Sequence, residues 1–167
     1  VSISMLKITP HLVFNDQAEE AAQFYVSVFK NSAILNKTYY TKKGGAFAST
    51  VRTVRFHLDG QELIAVNGGP SFTFSDGVSL YVNCETQEEI DELWEKLSAG
   101  GIKERCGWLR DRYGVYWQIN PMISWEMVND PDPEKAQRVM DAIDGMTKIE
   151  IETLKHAYVG SEKNGQL

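Results

Sequence analysis

A chain of 167 residues is long enough for one domain with a sizeable core and too short for two large independent ones. Its 43% hydrophobic and 24% charged residues are ordinary for a globular protein, while a net charge of −6 and an isoelectric point near 5.1 give no basic footprint for nucleic acid. The apolar runs are short, as in Leu63-Ile64-Ala65-Val66, against the roughly 20 residues that a membrane helix needs.

The start, Val1-Ser2-Ile3-Ser4, has neither the basic nor the long apolar segment of a secretory signal, and Met5 is read as the natural initiator after an expression remnant. Two cysteines, Cys84 and Cys106, make no disulfide framework, so a soluble protein with reduced thiols in the cytoplasm is expected.

Residues 8–14 read as a short apolar strand, followed by a turn at Asn15-Asp16. Ala21, Phe24, Tyr25 and Val28 then recur at helical spacing, so they share one face that must pack on something apolar. A strand is expected near 33–40, then a β-hairpin from strands at 51–58 and 62–67 around Asp59-Gly60. Gly68-Gly69-Pro70 connects this first set of elements to a second.

The second set has the same order. Residues 78–82 read as a strand, and Ile90, Leu93, Trp94 and Leu97 form a helix face that matches the first one position by position at a shift of 69. Thr86 with Glu89 fits a capping box at the helix start, and Gly100-Gly101 ends it. A strand at 103–106 and a hairpin from 108–111 and 115–120 around Tyr113-Gly114 complete the second β-α-β-β-β set.

After Pro121 a helical tail begins. Asp132-Pro133-Glu134 supplies an N-cap, a proline at the first helical position and an acidic first turn. A second start is placed at Thr147 with Glu150, followed by the stripe Ile151, Leu154 and Tyr158, and residues 160–167 are read as frayed. The organisation expected is a paired-module domain over 5–121, with module one at about 5–68 and module two at about 74–121, and 122–167 as its helical extension.

Ile8-Thr9-Pro10-His11-Leu12-Val13-Phe14, Ala18-Glu19-Glu20-Ala21 and Phe24-Tyr25 resemble the opening of a PhnB-like protein of the vicinal oxygen chelate (glyoxalase/bleomycin-resistance) superfamily. Asn67-Gly68-Gly69-Pro70, Cys106-Gly107-Trp108-Leu109, Trp117-Gln118 and the run 130–140 continue the likeness. The resemblance implies an α+β fold in which the two modules form a curved, cup-like mixed sheet around a cavity, with helices outside and the helical tail added. It also implies a homodimer.

Enzymes of the superfamily usually hold one divalent metal on four inward His or Glu side chains from the first and last strands of each module. The family's pattern places those positions at Pro10, Ala65, Ser79 and Gln118, to within about a residue for the first two. None is a strong donor, so no metal and no cofactor are expected. His11, one residue from the first position, is the challenger, able to act as acid, base or ligand if a bulge turned it inward. His57 is read as facing solvent and His156 as part of the tail.

Strand alternation turns Trp117 to the helix side and makes Tyr81, Trp108 and Tyr116 candidates for a pocket wall, with Ser79, Gln118, Asn83 and Asn120 as polar points. Trp94 belongs to the core and Trp125 to the tail. Arg105 beside Cys106 is the one hint of a reactive thiol. Relatives often carry a demethylubiquinone methyltransferase label, but the paired glycines at 44–45, 68–69 and 100–101 form no glycine-rich strand-to-helix loop for a nucleoside cofactor. The expected protein is therefore a metal-independent binder of a small aromatic or apolar molecule. The alternatives are an enzyme with a displaced metal or metal-free acid/base chemistry on a small aromatic or carbonyl substrate, and an interaction protein that uses its acidic surface and tail helices.

Overall fold

The computed structural model describes residues 6–43 and 45–160, so the expectations for 1–5 and for fraying at 161–167 lie outside the described residues. The chain divides into two compact units, 1–74 and 75–167.

The first unit runs β1 (His11–Phe14), α1 (Ala18–Val28), β2 (Ser32–Tyr39), a short 3-10 turn (Gly45–Phe47), β3 (Val51–Leu58) and β4 (Gln61–Asn67). Its sheet has the order β1-β4-β3-β2, with β1 parallel to β4 and the other pairs antiparallel. Alternation sends Leu12, Phe14, Val54, Phe56, Leu58, Leu63 and Ala65 to one buried face. Against it α1 lays Ala18, Ala21, Ala22, Tyr25 and Val28, and the Tyr25 and Phe56 rings stack 6.3 Å apart. Small side chains along most of this helix stripe let it sit close to the sheet, while Phe24 is only half-buried.

No side chain next to α1 caps it in sequence; instead Asn67, at the end of β4, accepts the Ala18 N–H at 2.8 Å and donates to the Val51 carbonyl at 3.1 Å. The hairpin turn has Asp59 at φ 46° and Gly60 at φ 84°, the left-handed pair that matches strand twist in a two-residue connection.

The second unit runs β5 (Leu80–Cys84), α2 (Gln87–Ser98), β6 (Ile102–Lys103), β7 (Trp108–Arg110), β8 (Tyr116–Pro121), α3 (Ile123–Val128), α4 (Pro133–Gly145) and α5 (Ile151–Val159). Its sheet order, β5-β8-β7-β6, repeats the first. Ile90, Leu93, Trp94 and Leu97 of α2 are buried, as are Leu109, Trp117 and Ile119 of the sheet. Buried Asp111 organises the β7–β8 turn, accepting from the Tyr113 and Val115 N–H groups at 2.8 and 3.0 Å and from the Trp117 indole at 2.9 Å. Thr86 caps α2 by accepting the Glu89 N–H, while the Glu89 carboxylate reaches back to the Glu85 N–H at 2.8 Å.

The tail helices build a second core from Met127, Val139, Ile149 and Leu154. They are tied to the module by the backbone. Cys106 and Gly107 donate to the Met146 and Thr147 carbonyls at 2.8 Å each, and Gln87 bonds both the Ile149 carbonyl and the Ile151 N–H. Gly107 is at φ 79°, and a Cβ there would stand 2.8 Å from the Ile119 carbonyl oxygen, so only glycine fits.

Several expectations are corrected. The curved, cup-like mixed sheet is not formed: among the described residues each strand bonds only within its own module, giving two separate four-stranded mixed sheets. Two of the four outer strands give pairing little to continue on, since β2 carries register breaks after Ile34 and Thr38 and β6 has two residues. Ile8 and Val78, 82% and 79% exposed, precede their strands instead of opening them. The strand expected at 103–106 stops at Lys103, because Cys106 is left-handed at φ 61° and its N–H goes to the tail. The last helix starts at Ile151, not Thr147, since 147–150 is the strap that bonds back to the module.

The shift of 69 is corrected too, because it holds for the helices but not for the strands. Phe14 and Cys84 occupy the same place, their carbonyls accepting the Gly68 and Met122 N–H groups at 2.8 and 2.7 Å, which is a shift of 70. Three residues join β1 to α1 and two join β5 to α2. One residue of slip changes which face of the sheet a side chain takes.

Candidate functional site

Each sheet has one face on its helix and one turned away, and the chemistry lies on the second kind. In the first unit, register places His11, Ile64, Arg55 and Asn36 in one row across β1, β4, β3 and β2. Arg55 grips Glu62 through a two-pronged pair, Nε to Oε1 at 2.5 Å and an η nitrogen to Oε2 at 2.9 Å. The guanidinium hydrogen bonds hold the Glu62 carboxyl below its ordinary range, and the carboxylate raises Arg55 in turn. His57 lies in register with Glu62, and its Nδ1 is buried without a hydrogen-bond partner, so it does not stand free in solvent as alternation implied.

Ala65 is fully buried in register with Leu12 and Val54, which sets it on the α1 side where it has nothing to offer a ligand. Pro10 precedes β1, and its carbonyl accepts the Ile64 N–H at 3.0 Å. His11 faces away from α1 and is exposed, with no bulge needed to put it there.

The corresponding row of the second unit is Tyr81, Gln118 and Trp108, in register across β5, β8 and β7. Tyr116 and Arg110 form the next pair on this face, and Asn83 and Asn120 the pair on the other side. Tyr81, Trp108, Arg110, Tyr116 and Gln118 are all half-buried. Gln118 Nε2 donates to Ser79 Oγ at 2.9 Å, and its amide oxygen has no hydrogen-bond partner among the described residues. Trp108 also borders an open hollow of about 640 Å³ lined by Asp76, Glu104 and Arg105.

Two residues of this face escaped the sequence reading. Trp125 of α3 brings its ring to 5.4 Å from Tyr81 and donates its indole N–H to Asn83 Oδ1 at 2.9 Å. Nothing in the tail's own pattern signals that contact. Arg110 could have been found, since alternation from Trp108 puts it on the same face. Burial raises the Tyr81 phenol above its ordinary value, outweighing a hydrogen bond with Ser124, so it stays protonated at neutral pH. Cys84 lies in the core and Cys106 is half-buried, so the arginine beside Cys106 faces a partly covered thiol.

The residues present do not fit the superfamily's divalent ion. The first row offers one imidazole beside Ile64, and the second a phenol, an amide and an indole. Among the described residues no group of three His, Cys, Asp or Glu could hold a metal.

The model of the 3-demethylubiquinone-9 3-methyltransferase family matches residues 6–120, about two thirds of the chain. The chain belongs to this family, the PhnB-like branch of the vicinal oxygen chelate superfamily. A Bacillus cereus PhnB protein carrying that methyltransferase label is 40% identical, with 68% of this chain and 97% of that one covered at a TM-score of 0.63. A Pseudomonas aeruginosa protein at 21% identity, with 70% and 98% covered and a TM-score of 0.60, shares the fold. Among curated proteins none matches. The superfamily of this PhnB-like chain includes metal-dependent and metal-independent enzymes. Among the described residues no helix is long and apolar enough to cross a membrane.

Proposed function

We propose that this PhnB-like protein binds a small, planar, partly apolar molecule without a metal, on the face of its second sheet that turns away from α2. The observation that carries the reading is the register itself: Tyr81, Gln118 and Trp108 in one row, with Tyr116 in the next, all half-buried on one face. Aromatic side chains there offer flat apolar area, and the Gln118–Ser79 pair offers a fixed polar point. Such a composition suits binding better than metal chemistry.

Methyl transfer is not part of the reading. The connections from strand to helix, Asn15-Asp16-Gln17 and Glu85-Thr86, contain no glycine, whereas nucleotide sites on doubly wound sheets use glycine-rich turns there. We also propose, from the resemblance, that the protein works as a homodimer in the cytoplasm, with 122–167 as an extension of the paired modules. Its two free thiols, one in the core and one half-buried, accord with a reducing compartment.

The test is a tryptophan-fluorescence titration of chelator-treated protein with a panel of two-ring aromatic compounds. Binding by the wild type should weaken at least about tenfold in Trp108→Ala and in Gln118→Leu, since each removes a contact made on this face. A stoichiometric divalent metal in the purified protein, whose removal abolishes binding, would overturn the proposal. So would unchanged affinity in both variants.

A further inference from the structure

We infer that the molecule held on this face is an aromatic monocarboxylate, with its ring on Trp108 and Tyr116 and its carboxylate on Arg110; this rests on the binding reading above. Arg110 lies opposite Tyr116 in the β7–β8 register, two residues from Trp108, so the three side chains share the face away from α2. The arginine is half-buried, and its guanidinium has no ion-pair or hydrogen-bond partner among the described residues.

The first unit shows how the same module treats a cation when it has an internal partner. With Phe14 matched to Cys84 and Asn67 to Pro121 at the ends of the parallel pairs, Arg55 corresponds to Trp108, His57 to Arg110 and Glu62 to Tyr116. There Glu62 meets Arg55 as a two-pronged carboxylate and its charge is answered within the sheet. In the second unit the acidic position is a phenol, which cannot neutralise Arg110. A partly covered cation without a counter-ion is left for a ligand to match.

A guanidinium's planar fork fits a carboxylate through two parallel hydrogen bonds, and its flat face tolerates an aromatic neighbour. One arginine answers one negative charge. Asp76 and Glu104 line the hollow beside Trp108 and the chain carries a net charge of −6, so each further negative charge on a ligand adds repulsion, which favours a monoanion over a multiply charged anion. The Gln118 amide oxygen stands one rung away from Arg110, placed to accept from a ring hydroxyl or N–H.

The probe is 2-naphthoate, compared with its neutral amide, 2-naphthamide, and with inorganic phosphate, by calorimetric titration of the full chain. The wild type should bind naphthoate at least about tenfold more tightly than either comparison compound, as a charge-assisted pair requires. Arg110→Gln should reduce that preference to within about twofold, Arg110→Lys should keep part of it, and Arg52→Gln should keep all of it. Circular dichroism melts establish that each variant is folded. Equal affinity for the acid and the amide, tighter binding of phosphate, an undiminished preference in Arg110→Gln, or no binding of naphthoate would each overturn the inference. Equal binding of acid and amide that is lost in Trp108→Ala removes the carboxylate but leaves the binding face; failure of both probes and of the two-ring panel removes both.

Discussion

The two sheets share strand order and register, yet their open faces are finished differently. In the first unit the face is closed chemically: Arg55 and Glu62 neutralise each other, and their side chains are only 18% and 10% exposed. In the second unit the matching positions hold Trp108 and Tyr116, and the cation has moved to Arg110, where no carboxylate among the described residues answers it. The second unit also carries α3 to α5, and Trp125 from that tail joins the same face. One module thus commits its face to internal pairing, while its copy keeps flat aromatic area, a polar point and an unanswered charge. Duplication frees one copy to diverge while the other keeps the shared framework.

The largest expected effect concerns the tail, which the first unit lacks. Leu154 is fully buried in the tail core, so Leu154→Ala should cost about 2–5 kcal/mol in urea unfolding, from lost burial plus a cavity. A change under about 0.5 kcal/mol would mean that this core adds little to the second unit.

A sharper test gives the second unit the carboxylate that the first one has. Tyr116→Glu should pair with Arg110 and weaken 2-naphthoate binding at least about tenfold while the protein stays folded. Unchanged binding would break the correspondence between Glu62 and Tyr116 on which the comparison rests.

The first unit's pair makes a prediction about acid. Because Arg55 depresses the folded-state pKa of Glu62, its stabilisation is complete above the unfolded carboxylate value of about 4.3 and is lost as pH falls through that value towards the depressed one. Glu62→Gln should lower the melting temperature at pH 7 and flatten the acid limb below about pH 5. Parallel curves for wild type and variant down to about pH 3 would show that the pair adds no stability.

The smallest effect is chemical. Burial pushes the Cys84 thiol up to about 12, so at about pH 8 it should stay unmodified by a disulfide reagent while the half-buried Cys106 is labelled. Labelling of both at equal rates in the folded protein would contradict that placement.

Much of the fold was legible because helix faces repeat at about 3.6 residues and strands at about two. Ala21, Tyr25, Val28, Ile90, Leu93, Trp94 and Leu97 are all buried, and Trp117 turns to the helix side while Trp108, Tyr81 and Tyr116 turn away. The open-face rows were legible only in part. The family's pattern places the first two positions only to within about a residue, and one residue separates Pro10 from His11 and Ala65 from Ile64 as the outward-facing positions. That the two sheets stay separate left no trace in local pattern, because it depends on how pairing continues past their outer strands. The Asn67 cap on α1 and the Trp125 contact with Tyr81 join residues 49 and 44 positions apart, beyond any local signal.

The most direct test of metal-free binding on the second sheet is to map 2-naphthoate onto both sheets by NMR, with isotope-labelled, chelator-treated protein. The Trp108 indole N–H, the Gln118 side-chain amide and the Arg110 Nε–H should shift together on titration, while Arg55 and His11 stay still. Shifts centred on His11, or shifts at any site that arise only after a divalent metal is added, would contradict it.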